Sequence, residues 1–382
     1  MIPYGRQDIT EADIEAVVQV LRSDFLTQGP TIPAFENAVC KYVGAKHGIA
    51  VNSATSALHI ACMSVGLGPG DWLWTSPNTF VASANCGRYC GADIDFVDID
   101  PLTLNMSVEL LKDKLAIAEK RGTLPKVVVP VHFAGEPCEM EAIWALAKKY
   151  NFRVIEDASH AIGASYAGKP IGNCAFSDIT VFSFHPVKII TTAEGGLATT
   201  NCEQLAARMS RLRTHGITRD PASMTHASEG GWYYQQVELG YNYRMTDLQA
   251  ALGLSQMSRL NQYIEMRHRL AQRYEHLLGR LPVKLPFRSS SSRSALHLYP
   301  IQVLDQVKRK PVFDHLRTSG IGVNVHYIPV HTQPDFRLRV PKETQCANAV
   351  EYYQKAISLP MYATLSDIEQ DKVARELEVA LV

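Results

Sequence analysis

Residues 48–71 read GIAVNSATSALHIACMSVGLGPGD, and this stretch decides the fold. Gly48–Val51 is an apolar, β-like run. Asn52–Thr55 is a small-polar turn. Apolar residues then recur at helical spacing until Gly66–Gly70 stops the pattern. The same rhythm continues outward. DWLWTSP (71–77) reads as a strand and Thr79–Cys90 as a helix; DIDFVDID (93–100) is a strand and Ser107–Arg121 a helix. KVVVPVHF (126–133) is a continuous apolar strand, followed by a helix over Glu139–Lys149. FRVIED (152–157), ITVFSF (179–184) and GLATT (196–200) are further strands. Strands alternating with helices imply an α/β fold around a mostly parallel sheet buried on both faces.

At the N-terminus, residues 11–22 form a first helix, with Thr10 and Asp13 spaced as a capping box. A long helical stretch covers Thr246–Leu281, and from Tyr263 the chain changes character. SSSSRS (289–294) reads as a solvated loop, HLYPIQV (297–303) as a strand, Pro311–Ser319 as a helix and GVNVHYI (322–328) as a strand. The 382 residues thus divide into a large α/β domain, 1–262, and a smaller C-terminal α+β domain, 263–382.

Lys+Arg and Asp+Glu number 38 each, a balance that argues against a generic nucleic-acid binder. No apolar run reaches the roughly 18 residues of a transmembrane helix. MIPYGRQDITEADIEA lacks the basic start and apolar core of a secretory signal, so the cytoplasm is the expected location. The eight cysteines are scattered without a CxxC pair, which disfavours zinc. Cys86 and Cys90 lie four apart on an expected helix, but no second pair follows to complete a metal site. In a cytosolic chain the thiols are expected reduced.

In open parallel sheets, ligands bind beyond the carboxyl ends of the strands. After strand 48–51, the small residues Asn52–Ser56 open a helix whose free N–H groups and dipole suit a phosphate; a plain Ser/Thr helix cap is the alternative. Neither GxGxxG nor GxxxxGK[ST] occurs, so dinucleotide and P-loop readings are weak. Asp157 ends the next informative strand, as an anchor for a cationic ring nitrogen or as a helix cap. Lys188 follows SFHP (183–186) and precedes TTAEGG (191–196), a constrained loop at the same sheet edge. A phosphate turn, a carboxylate and a confined amine together match pyridoxal 5′-phosphate, with Phe80 placed to cover the ring.

These residues resemble the DegT/DnrJ/EryC1/StrS sugar aminotransferase family over nearly the whole chain. The resemblance runs through LTQGPTIPAFE (26–36), NSATSALH (52–59), PNTFVAS (77–83), DIDP (98–101), VHFAG (131–135), EDASHAIGA (156–164), FSFHPVKIITTAEGG (182–196), GYNYRMTDLQAALG (240–253) and VHYIPVH (325–331). It implies the aspartate-aminotransferase fold (fold type I) and a homodimer with sites at the subunit interface. By the same resemblance, Lys188 is the Schiff-base lysine, Asp157 the pyridinium partner and Phe80 the stacking aromatic. Ala54, Thr55 and Ser183 contact the phosphate, His160 lies near the ring, and Asn242 reaches the phosphate of the neighbouring subunit. Tyr4, His326, Tyr327 and Pro329 belong to the nucleotide-sugar pocket. Ile190 departs from the Asn or Pro of several relatives, with no mechanistic weight attached.

Lys188 sets the chain apart from the dehydratase branch, which carries histidine there. IPYGRQDI (2–9), HGITRD (215–220) and EGGWYYQQVELGYNYRM (229–245) are most similar to the pseudaminic-acid branch. That branch aminates C4 of a UDP-linked 4-keto-6-deoxy-N-acetyl-hexosamine, with L-glutamate as donor. The 4-keto-arabinose aminotransferases of lipid A modification are the nearest alternative. A non-catalytic homologue and a pyridoxal lyase acting on amino acids are readings from other classes.

Overall fold

The computed structural model describes residues 1–381. Seven strands form the main sheet: β1 (His47–Val51), β2 (Trp72–Thr75), β3 (Asp93–Phe96), β4 (Val127–Val129), β5 (Arg153–Asp157), β6 (Ile179–Ser183) and β7 (Gly196–Thr200). Their order is β1-β7-β6-β5-β4-β2-β3, and β7 alone runs against its neighbours. The sheet is thus mostly parallel, and β4, β6 and β7 are buried along their whole length; β4 is wholly apolar, while β6 and β7 also bury Thr180, Thr199 and Thr200.

The helices relevant here are α1 (Glu11–Leu21), α2 (Thr31–Val43), α3 (Ala54–Ser64) and α4 (Ala82–Tyr89), then α5 (Val108–Arg121) and α6 (Met140–Tyr150). α7 (Glu203–Leu212), α8 (Asp247–Met257) and α9 (Leu260–Leu278) follow. Their ends obey local chemistry. Thr10 and Asp13 form the capping box of α1, Ser107 caps α5, and α5 stops at Gly122 in the left-handed region.

The expected helix over Thr246–Leu281 is two helices. At the break, the Ser258 hydroxyl donates to Ser255 O, and Arg259 is held by Asp13 at 2.5 Å and by the Tyr263 hydroxyl at 2.9 Å. The Ser258 and Arg259 N–H groups there donate three residues back, to Ser255 O and Gln256 O, so the regular four-residue ladder is interrupted at the junction. The strand expected over GVNVHYI also fails to form. Only Asn324 pairs, with Ser358, and the Asn324 carboxamide captures the Val325 N–H at 2.8 Å. His326 and Tyr327 are thereby free to turn toward the sheet edge.

Beyond the main sheet, a three-stranded layer (Val283–Lys284, Tyr299–Val303, Ala356–Leu359) packs with α9 and the helix Asp367–Leu381 around a separate core. Ile2 joins that core, and its backbone bonds Gly320 and Gly322. The first residues of the chain therefore lie against its last third.

Candidate active site

The carboxyl ends of β1, β2, β4, β5 and β6 open on one cavity of about 950 Å³. Its lining brings together Tyr4, Ala54, Thr55, Phe80, Asp157, His160, Ser183, Lys188, His326 and Tyr327. These ten sequence-expected positions come from the N-terminus, four strand ends and the C-terminal third. Two others lie elsewhere. Pro329 starts a short turn outside the lining, accepting from the Thr332 N–H and hydroxyl. Asn242 is exposed and is not among the residues that line its own chain's cavity.

The turn after β1 does two things at once. Ser53 Oγ accepts the Ser56 N–H at 3.1 Å, and Ser56 Oγ donates to Asn52 at 2.7 Å, so the serines do cap α3. The cap takes up one N–H and leaves those of Ala54 and Thr55 at the positive end of the helix for an anion. Gly196 lets β7 pass directly beneath. A Cβ there would stand 2.5 Å from Ala54 N and from the Ser53 carbonyl, so any other residue would push the turn into the cavity.

No helix follows Asp157, so it caps none. Its Oδ1 accepts the Ser159 N–H at 3.0 Å and Oδ2 the Ser83 hydroxyl at 2.6 Å, leaving lone pairs for a further donor. Ser83, within PNTFVAS, was not singled out from sequence; a hydroxyl one helical turn after Thr79 carries no signal until α4 is packed against β5. Beneath Asp157 lies a buried pair, His132 Nε2 to Glu156 Oε2 at 2.8 Å, and the His132 N–H bonds Asp157 O at 3.1 Å. This pins the end of β5.

Lys188 sits on a loop tied to the end of β6. Thr191 Oγ1 donates to Phe184 O at 2.9 Å and accepts the Ala193 N–H, while Thr192 Oγ1 donates to Glu194 O. Ile190 is buried core. Burial pushes the Lys188 pKa down to about 8, against the opposite pull of the Asp157 carboxylate. Three imidazoles surround it. Burial, then the Lys188 charge, holds His160 and His297 well below the usual range and His326 at about 4. All three are neutral near pH 7. His297 was missed from sequence, since a lone histidine opening an expected strand gives no hint that its ring lies 4.4 Å from that of His160, tilted by 42°.

Burial raises the Tyr327 pKa, so its hydroxyl keeps its proton. It hydrogen-bonds to His160 Nε2 at 3.2 Å, which leaves Nδ1 as the other nitrogen of that ring. That nitrogen is buried without a partner. A buried, unpartnered imidazole nitrogen beside the lysine, a helix N-terminus with free N–H groups and a carboxylate with spare lone pairs all fit pyridoxal phosphate. Phe80, 61% exposed at the cavity's rim, offers a flat apolar face to a ring.

The architecture and this cavity define a pyridoxal-phosphate enzyme of fold type I. The profile of the DegT/DnrJ/EryC1/StrS aminotransferase family matches residues 7–378, and the chain belongs to that family. It is 39% identical over 378 residues to the spore coat polysaccharide biosynthesis protein SpsC of Bacillus subtilis, covering 97% of this chain and 95% of that protein. To the UDP-4-amino-4,6-dideoxy-N-acetyl-beta-L-altrosamine transaminase of Campylobacter jejuni it is 36% identical over 374 residues, 96% and 94% of the two chains. Helicobacter pylori PseC, an aminotransferase involved in pseudoaminic acid biosynthesis, superposes with a TM-score of 0.91 at 30% identity, covering 100% and 99%. The cofactor is pyridoxal 5′-phosphate; solved chains of this likeness include pyridoxal- and pyridoxamine-phosphate forms.

Proposed function

We propose that this aminotransferase moves the amino group of L-glutamate to C4 of a UDP-linked 4-keto-6-deoxy-N-acetyl-hexosamine, in the route to pseudaminic acid. Likeness to the Campylobacter transaminase and to PseC over nearly the whole chain carries the choice of sugar. The observation that carries the chemistry is a lysine amine, brought near neutrality by burial, in one cavity with Asp157 and the free N–H groups of α3.

In this reading the phosphate is held by Ala54, Thr55 and Ser183. Asp157 bonds the ring nitrogen and keeps it protonated, and Phe80 covers one face. Lys188 would hold the aldehyde of pyridoxal phosphate, whose ring would supply a sink for the electrons of the bond broken at the donor carbon. Lys188 Nζ, as neutral amine, takes the proton from glutamate Cα and later returns one to the sugar C4. The neutral imidazoles of His160 and His326 polarise without adding positive charge that would compete with Lys188 for that proton. Tyr4, His326 and Tyr327 form the wall on which the sugar rests. Pro329 acts on that pocket only by setting the course of the turn after Tyr327.

The assembly in this reading is a homodimer. Asn242 is exposed, and Trp232 and Leu239 are 74% and 69% exposed nearby in sequence. Such rings and aliphatics are expected under a partner subunit, from which Asn242 reaches the other site's phosphate. The division into domains at 262/263 belongs to this proposal, with Ile2 carried on the smaller one. Among the described residues no helix is long and apolar enough to cross a membrane, which agrees with a cytoplasmic enzyme.

A second reading keeps the chemistry and changes the acceptor to another nucleotide keto-sugar of surface polysaccharides. The 39% identity to SpsC favours it. Incubation with glutamate and a panel of nucleotide keto-sugars, with products identified by NMR, separates the two. Amination of the UDP-4-keto-6-deoxy-N-acetyl-hexosamine in preference to dTDP-linked and 4-keto-pentose acceptors supports the first reading; the opposite preference replaces it with the second.

A further inference from the structure

A short chain of hydroxyls holds the Asp157 carboxylate. The backbone there is already fixed on both sides: the Asp157 N–H donates to Pro130 O at 2.9 Å and the Ala158 N–H to Val181 O at 2.8 Å. The side chain is a separate matter, because the last torsion of an aspartate has only a broad preference of its own. Two donors fix it. The Ser159 N–H bonds Oδ1 at 3.0 Å, and the Ser83 hydroxyl bonds Oδ2 at 2.6 Å. Ser159 belongs to the turn after β5 and Ser83 to the first turn of α4, so twisting the carboxylate out of its plane strains both bonds. Ser83 is fully buried and does not line the cavity, whereas Asp157 does.

The chain runs one step further. Thr79 Oγ1 lies 2.7 Å from Ser83 Oγ. A serine hydroxyl has one proton to give. Ser83 gives it to the Asp157 carboxylate at 2.6 Å in preference to Phe80 O at 3.4 Å. Thr79 is therefore the donor to Ser83, and the relay has one direction, from Thr79 through Ser83 to Asp157. A hydroxyl that accepts a bond donates the more strongly in its turn, and all three side chains are buried, where such bonds are strongest. Thr79 and Ser83 also bracket Phe80. The Ser83 N–H donates to Phe80 O at 3.3 Å, and the Cys86 thiol donates to Ser83 O at 3.2 Å. One turn of chain thus carries both the aromatic at the cavity's rim and the donor to Asp157.

We propose that Ser83, backed by Thr79, is a positioning residue that aims the spare lone pairs of Asp157 at the cofactor's ring nitrogen and keeps the shared proton on that nitrogen. The inference rests on the reading of Asp157 as the ring nitrogen's partner, and Ser83 acts only through it. A carboxylate that already accepts strong bonds has less charge to offer a further proton, since those bonds favour its ionised form. The proton between Asp157 and the ring then stays with the ring, where its charge is needed. Without the Ser83 hydroxyl the carboxylate turns more freely and competes harder for that proton.

The test uses holoenzyme loaded with pyridoxal phosphate carrying nitrogen-15 in the ring, whose NMR shift separates a protonated from a neutral ring nitrogen. The wild-type signal should sit at the protonated position, and Asp157→Asn should move it to the neutral one. Ser83→Ala should move it part of the way. Thr79→Val, which keeps the side chain's volume and removes only its donor, should move it less in the same direction. A donor to a charged acceptor is worth roughly 10- to 150-fold. For Ser83→Ala, kcat should therefore fall at least about tenfold, while the KM for glutamate changes less than about threefold. A serine that only fills its place in α4 would leave the ring signal where it was. An unmoved signal in Ser83→Ala, with a shifted one in Asp157→Asn, overturns the proposal and leaves the reading of Asp157 standing. A signal that Asp157→Asn also leaves in place overturns both. Where Ser83→Ala does not retain the cofactor, the shift in Thr79→Val decides by the same criterion.

Discussion

Raising the pH should switch on covalent cofactor capture by the cofactor-free protein through a single midpoint near 8. Only the neutral Lys188 amine can add to the aldehyde of pyridoxal phosphate. With its pKa at about 8, roughly one Lys188 in eleven is neutral at pH 7. An ordinary lysine at about 10.4 has only about 0.04% neutral amine at that pH, so burial is worth about 200-fold in reactive population. The Asp157 carboxylate pulls the other way, because it favours the ammonium form. Asp157→Asn should therefore lower the capture midpoint and speed capture at pH 7, even while it cripples turnover. Stopped-flow absorbance of the lysine-bound cofactor, followed by borohydride reduction and peptide mapping, measures both rate and site. A midpoint near that of an ordinary lysine, or one that Asp157→Asn moves upward, would refute the reasoning.

The remaining expectations follow from the same geometry. Lys188→Ala and Lys188→Arg should abolish turnover while the protein retains pyridoxamine phosphate, checked by equilibrium dialysis; borohydride labelling of any other lysine would refute the assignment. Asp157→Asn should cost about 1.5–3 kcal/mol of cofactor binding for the lost charge-assisted hydrogen bond, and more than that in rate, because the ring nitrogen's charge matters chiefly in the transition state. Subunit exchange between a Lys188→Ala variant and an Asn242→Ala variant should restore part of the activity, since one site of the mixed dimer then carries neither lesion. A mixture no more active than the sum of its parents would remove Asn242 from the partner's site. His326 should stay neutral down to about pH 4, so its NMR signals should not titrate between pH 5 and 8.

The alternation from Gly48 to Thr200 was legible because buried parallel strands must be continuously apolar, and the short turns after them expose polar residues at one edge. That regularity also led to Lys188, Asp157 and the Asn52–Ser56 turn. Asn242 could be read from its sequence neighbourhood but not placed, and the structure removes one alternative: Thr246, not Asn242, caps α8, accepting the Gln249 N–H. Departures lie where side chains compete with the backbone, at Ser258–Arg259 and at Asn324, and periodicity does not register such competition. The Ser83–Asp157 bond and the His160–His297 ring contact join residues 74 and 137 positions apart. Only the packed fold makes such pairs visible.

One measurement bears most directly on Lys188 as both anchor and proton carrier. Holoenzyme mixed with L-glutamate and no acceptor should release one 2-oxoglutarate per active site and stop, with loss of the visible absorption of the lysine-bound cofactor. Addition of a nucleotide keto-sugar should restore that absorption, and Lys188→Arg should do neither. Release of pyruvate or ammonia, continued turnover without a sugar, or a full equivalent of 2-oxoglutarate from Lys188→Arg would contradict the account.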